Sequence, residues 1–188
     1  MEQRSTQSQC SDGRILALME SIRSNAQQGM RDVEAILEEY PKDARLHFLK
    51  GSLLAGEQDY SAARVCMRRA VDLAPDYHVA RFQLGFLLLT SGEPYAAQEA
   101  WGPLYSLPSD HYLHIFVRGL CHLIRDEFSD TVKLLEKGVT LNTENPPMNK
   151  DMQLIVEHVK QLDQGGKSDG DVSSVDFLLR QAALKPQR

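Results

Sequence analysis

Cysteine is scarce. The chain has three in 188 residues, Cys10, Cys66 and Cys121, odd in number and widely spaced. They make no CxxC pair, so neither a zinc site nor a dithiol redox motif is written here, and a reducing, cytoplasmic setting is the simplest home for them. Long apolar runs are also missing. The longest, Phe86-Leu87-Leu88-Leu89, is core-sized and far from the roughly 20 residues that cross a bilayer. Met1 to Asp12 is polar and has no signal-peptide pattern. Basic charge is not in excess: 21 Lys and Arg against 26 Asp and Glu leave a net charge of -5, which argues against a nucleic-acid binder held by phosphate contacts. Catalytic signatures are lacking too. There is no GxSxG and no cysteine–histidine motif. Gly165-Gly166-Lys167-Ser168 looks superficially like a phosphate loop but lacks the upstream glycine spacing and the strand. His111, His114, Cys121 and His122 fall close together, yet Arg118 stands between His114 and His122 on the helix face they share, which disfavours a metal. No enzyme activity, metal or cofactor is expected.

What is present is an ordinary globular composition, 42% hydrophobic and 25% charged, in a length that fits one domain with tails. Within it runs a period of 34. Gly51, Gly85 and Gly119 are spaced by that interval, as are Phe48, Phe82 and Phe116, and Leu73, Leu107 and Leu141. Asp59, Glu93 and Glu127 are acidic in the same phase, and Ala63, Ala97 and Thr131 are small. Several ladders in phase over three copies define a structural repeat.

Each copy predicts two helices. Ala44 to Glu57 carries Leu46, Leu49, Leu53 and Leu54 at helical spacing; after a short turn, Tyr60 to Leu73 carries Ala63, Met67, Ala70 and Leu73, and Pro75 stops it. The second copy runs Tyr77 to Ser91, turns at Gly92-Glu93-Pro94, and returns through Trp101, Leu104 and Leu107 to Pro108. The third runs His111 to Arg125, then Phe128 to Leu141, and ends at Asn145-Pro146-Pro147. A glycine inside a helix costs about 1 kcal/mol against alanine. Three at one phase therefore imply a close approach of the paired helix.

On these residues the chain resembles the tetratricopeptide repeat (TPR). That pattern has a small residue at its eighth place, another at the twentieth, a large one at the twenty-fourth and proline at the thirty-second. Here these are Gly51, Ala63, Met67 and Pro75; then Gly85, Ala97, Trp101 and, one place early, Pro108; then Gly119, Thr131 and Leu135 without the proline. His47, Arg81 and Ile115 depart from the usual aromatic, and Lys50 and Arg118 from the usual leucine. The resemblance covers about 44–145 and implies an all-α fold, a right-handed α-solenoid of TPR helix pairs with a concave binding surface. Repeats are expected at 44–77, 78–111 and 112–145.

Upstream, 10–43 reads as a degenerate first pair after a disordered 1–9, with Ala17 at the glycine place, Gly29 opposite, Val33 at the large place and Pro41 at the proline place. Downstream, 146–163 reads as a capping helix with Met152, Ile155, Val159 and Leu162 on one stripe. Residues 164–188 read as a flexible linker followed by a short amphipathic helix in which Val175, Phe177, Leu178 and Leu179 form a docking tail, for the chain's own groove, for a partner, or for exchange between two chains of a homodimer.

The resemblance also implies which positions line the concave groove: Arg45, Phe48 and Ser52, then Val79, Phe82, Phe86 and Leu89, then Leu113, Phe116, Leu120 and Leu123. Phe48 and Ser52 stand where a carboxylate clamp would have lysine and asparagine, so an apolar peptide or helix is the expected ligand. The leading expectation is a protein–protein interaction scaffold or adaptor. The alternatives are a secretion-type chaperone shielding a client segment and, with no motif behind it, an enzyme.

Overall fold

The structure, a computed structural model, describes residues 9–164. The expected tail at the N-terminus, Gln9 apart, and the linker and docking segment after Gln164 lie outside the described residues. Among the described residues there are helices and no strand. The chain divides into two compact units, Met1–Leu84 and Gly85–Arg188, with the boundary inside one helix.

The first unit holds α1 (Asp12–Ser24), α2 (Ala26–Glu39), α3 (Ala44–Gly56), α4 (Tyr60–Leu73) and the start of α5 (His78–Thr90). Side-chain oxygens cap four of its helices at the N-terminus, Ser11 accepting from the Arg14 N–H at 3.4 Å at the start of α1. Asn25 accepts from the Gln28 N–H at 3.0 Å, Asp43 from Arg45 at 3.0 Å and Asp59 from Ala62 at 3.0 Å. Leu18, Val33, Ile36, Leu46 and Leu53 close a core beneath α1, α2 and α3, with Cys10 buried at its edge.

The second unit holds the rest of α5, then α6 (Pro94–Trp101), a 3-10 turn (Gly102–Ser106), α7 (Tyr112–Ile124), α8 (Phe128–Leu141) and α9 (Pro146–Gln164). Helix α7 is apolar nearly all round, from Tyr112 through Leu123, and is buried accordingly. The predicted second helix of the middle copy ran unbroken to Leu107. It breaks instead at Gly102, because Pro103 has no N–H to donate to the preceding turn. The corner from α8 to α9 has no proline at the repeat's usual place. Buried Asn142 holds it: its amide donates to the Asn145 carbonyl and to Asn149, and its oxygen accepts from the Glu144 and Asn145 N–H groups.

The period of 34 reappears in the geometry. A Cβ on Gly51 would meet Met67 at 3.1 Å, one on Gly85 would meet Trp101 at 2.2 Å, and one on Gly119 would meet Leu135 at 2.8 Å. Each glycine thus faces the large residue 16 places on, in its own unit, as the close-approach argument required. The turns between paired helices repeat as well. Gln58, Gly92 and Asp126, again 34 apart, all have positive φ, of 65°, 79° and 57°. Only one is glycine, so a composition scan for turns sees a third of the pattern.

The first pair departs from this register. Ala17, placed by sequence at the glycine position, is exposed, and Leu18 is buried instead. The connection explains it. Asn25 alone joins α1 to α2, whereas Glu57, Gln58 and Asp59 join α3 to α4. The shorter link rotates α1, and Gly29 packs against the backbone of Ile22, 2.7 Å from where its Cβ would stand.

Candidate functional site

In the first unit, α3 projects Arg45, Phe48 and Ser52 at spacings of three and four, one helical face. Arg45 is occupied by structure. Asp43, the fully buried N-cap of α3, accepts from the Cys10 N–H at 2.8 Å and from Arg45 Nη2 at 2.7 Å. Arg45 reaches on to Asp12 at 2.6 Å and to the Cys10 carbonyl. Burial alone would raise the Asp43 carboxyl, but the guanidinium and two backbone N–H groups outweigh it and hold the group below the usual aspartate range. Asp43 and Arg45 therefore pin the segment of Cys10 and Asp12 to α3, and Arg45 is no free contact for a ligand.

Phe48 is partly exposed, and its ring lies 5.2 Å from that of Tyr77 at a tilt of 55°. Such a pair offers both a ring face and an edge to an apolar side chain. Burial pushes the Tyr77 hydroxyl up, so it stays protonated at neutral pH. Ser52 is exposed and returns its hydroxyl to the Phe48 carbonyl at 3.0 Å. Val79, in the first turn of α5, is also partly exposed. The sequence pointed to Phe48, Ser52 and Val79 and missed Tyr77; the only signal for it was an aromatic just ahead of α5 in the repeat boundary.

The remaining groove positions are elsewhere. Phe82 is fully buried. In the second unit, Leu89, Leu113, Phe116, Leu120 and Leu123 are all core residues, exposed by 3% or less, and only Phe86 is partly open. Phe116 shows why. Its ring packs onto Gly138 of α8, where an added Cβ would stand 2.4 Å away, and meets Tyr112 edge-on at 6.0 Å. The side chain that the repeat pattern assigned to a groove is the filling between α7 and α8. The burial of five of the eleven positions, plus Phe82, removes most of the apolar lining from reach of a ligand.

The histidine group of the second unit serves the fold. His111 caps α7 by accepting from the Leu113 N–H at 3.2 Å, and His114 pairs with the Leu107 carbonyl at 3.0 Å. His122 contacts Glu127, which also holds Arg125 at 3.0 Å. The Tyr105 hydroxyl points at the buried Cys121 sulfur at 3.5 Å, and burial pushes that phenol up to about 12. No helix among the described residues is long and apolar enough to cross a membrane.

Set beside solved structures, the chain has the fold of helical repeat proteins. It is similar to MamA 41-end from Desulfovibrio magneticus RS-1, at 16% identity and a TM-score of 0.55 over 84% of this chain and 99% of that one. It is also similar to a MamA RS-1 ArsTM double mutant, at 15% identity and a TM-score of 0.55, over 92% and 97%. Neither a family model nor a curated protein matches the sequence. The fold class is all-α, built of TPR-like helices packed on their sequence neighbours within each unit.

Proposed function

We propose that the protein is a scaffold or adaptor that binds an apolar peptide or helix of a partner protein, and that its contact surface is the part of the first unit around Phe48, Ser52, Tyr77 and Val79. The observation that carries this is the half-open Phe48–Tyr77 pair. It remains accessible where Phe82 and Phe116, its counterparts in the repeat, are sealed. A ring pair that folding leaves partly wet is suited to an apolar anchor from outside.

The test is a selection from a displayed library of amphipathic peptides, followed by affinity measurement on the full chain and on Phe48→Glu. Bound peptides carrying apolar anchors, weakened about tenfold or more by the substitution at an unchanged denaturation midpoint, are expected. If selected peptides bind the variant as tightly, or if no apolar peptide is selected, the surface is not the site.

A further inference from the structure

Helix α9 has two flanks beside its buried stripe of Met148, Met152 and Val159. One turns to α8. Gln153, Val156 and Lys160 line a shallow groove there with Glu136, Val139 and Thr140, and Lys160 reaches Glu136 at 2.7 Å. The other flank carries Asp151, Ile155, His158 and Leu162, at spacings of four, three and four, all partly buried. Asp151 is the anomaly on it. It has no hydrogen-bonding or ionic partner among the described residues, and burial alone pushes its pKa up. A carboxylate drawn out of water without a counter-charge costs free energy, and an apolar surface that brought a cation would recover it.

The chain itself contains such a surface. Val175, Leu178, Ala182 and Lys185 are spaced three, four and three, three apolar side chains followed by a cation. The flank of α9, read backward from Leu162, runs Leu162, His158, Ile155, Asp151. We propose that Val175 to Lys185 docks as a helix antiparallel to α9, with Leu178 and Ala182 against Ile155 and Leu162 and Lys185 paired to Asp151. The geometry allows it. Helix α9 ends at Gln164, and Asp151 lies 13 residues back, about 20 Å along the axis. Residues 165–174 supply a connection of up to roughly 33 Å, ample for a return between helices whose axes pack about 8–10 Å apart. The two stripes then match in length, twelve residues from Asp151 to Leu162 and eleven from Val175 to Lys185. This contact is in the second unit and is independent of the surface around Phe48.

Hydrogen exchange of the full chain, read by mass spectrometry, tests it. Amides of 175–185 should exchange at least about tenfold more slowly than in the free peptide of that sequence. Lys185→Asp should abolish the protection, as should Asp151→Lys, and the two substitutions together should restore it by reversing the pair. Lys185→Asp leaves α9 itself unchanged, so it tests the contact even if Asp151→Lys perturbs that helix. A tail that exchanges as fast as the free peptide overturns the proposal. So does protection indifferent to Lys185→Asp, or protection that disappears on dilution, which would place the tail on a second copy.

Discussion

Gly85 and Trp101 touch so closely that a methyl group on the glycine would stand 2.2 Å from the indole nitrogen. Trp101 is fully buried in the second unit and has no room to withdraw. Gly85→Ala should therefore destabilise the protein by up to about 2 kcal/mol, the upper end of the overpacking cost less the helix-propensity gain. At Gly51 the nearest atom is the flexible Met67 side chain at 3.1 Å, so Gly51→Ala should be close to neutral. Urea denaturation of the three variants should rank them Gly85, Gly119, Gly51, from most to least harmful. Equal losses at Gly85 and Gly51 would refute the close-approach account.

Removing Asp43 should unfasten the segment around Cys10 from α3. Asp43→Ala strands the Cys10 N–H, uncaps α3 and leaves the Arg45 guanidinium with Asp12 and the Cys10 carbonyl alone, a loss of about 3 kcal/mol. The acid response follows from the lowered carboxyl. A group with its folded pKa below its unfolded one stabilises above the unfolded value, near pH 4, and loses that contribution as pH falls through the folded pKa. Between pH 4 and pH 2 the wild-type protein should lose more stability than Asp43→Asn does. Parallel acid curves for the two would show that Asp43 carries no such linkage.

The phenylalanines of the repeat should separate into two groups. Phe82→Ala and Phe116→Ala empty sealed positions and should cost about 3–5 kcal/mol each. Phe48, partly in water beside Tyr77, should cost about 1–2 kcal/mol on the same change. Denaturation midpoints decide it; a Phe116→Ala variant as stable as Phe48→Ala would put the α7–α8 packing in error.

Tyr112, along with Tyr105, should contribute to the alkaline limit. Burial, then the nearby Glu144 carboxylate, pushes the Tyr112 phenol up to about 12. Here the folded pKa lies above the unfolded value near 10, so the contribution is whole below pH 10 and fades as pH rises toward 12. Tyr112→Phe should flatten the loss of stability across that interval, followed by helical circular dichroism. A variant that unfolds in alkali along the wild-type curve would contradict this assignment.

The fold was legible in the sequence to the extent that it is repetitive. Gly51, Gly85 and Gly119 announced where helices meet because each forbids a side chain to an identifiable partner. Pro103 was as visible as Pro75, yet the apolar stripe through Leu104 and Leu107 masked it, and periodicity alone favours an unbroken helix. The rotation of α1 was hidden because it depends on the length of one connection, not on residue type. The site was the least legible part. An apolar residue on a repeat's first helix has the same spacing whether it lines an open surface, as Phe48 does, or fills a gap above a glycine, as Phe116 does above Gly138. The glycine that receives Phe116 lies 22 residues away, and nothing local to Phe116 refers to it.

The greasiness of α7 sets an order on the birth of the protein. Nine of its thirteen residues are buried, on every side but the face of His114, Arg118 and His122, and its main cover, α8, is still unmade when Ile124 leaves the ribosome, as is α9, which packs on α8. Another 40 residues, to Gln164, must follow, about 2–8 s at common rates of synthesis. For those seconds the nascent chain displays an uncovered apolar helix, and attendants that shelter such surfaces will meet this protein there first.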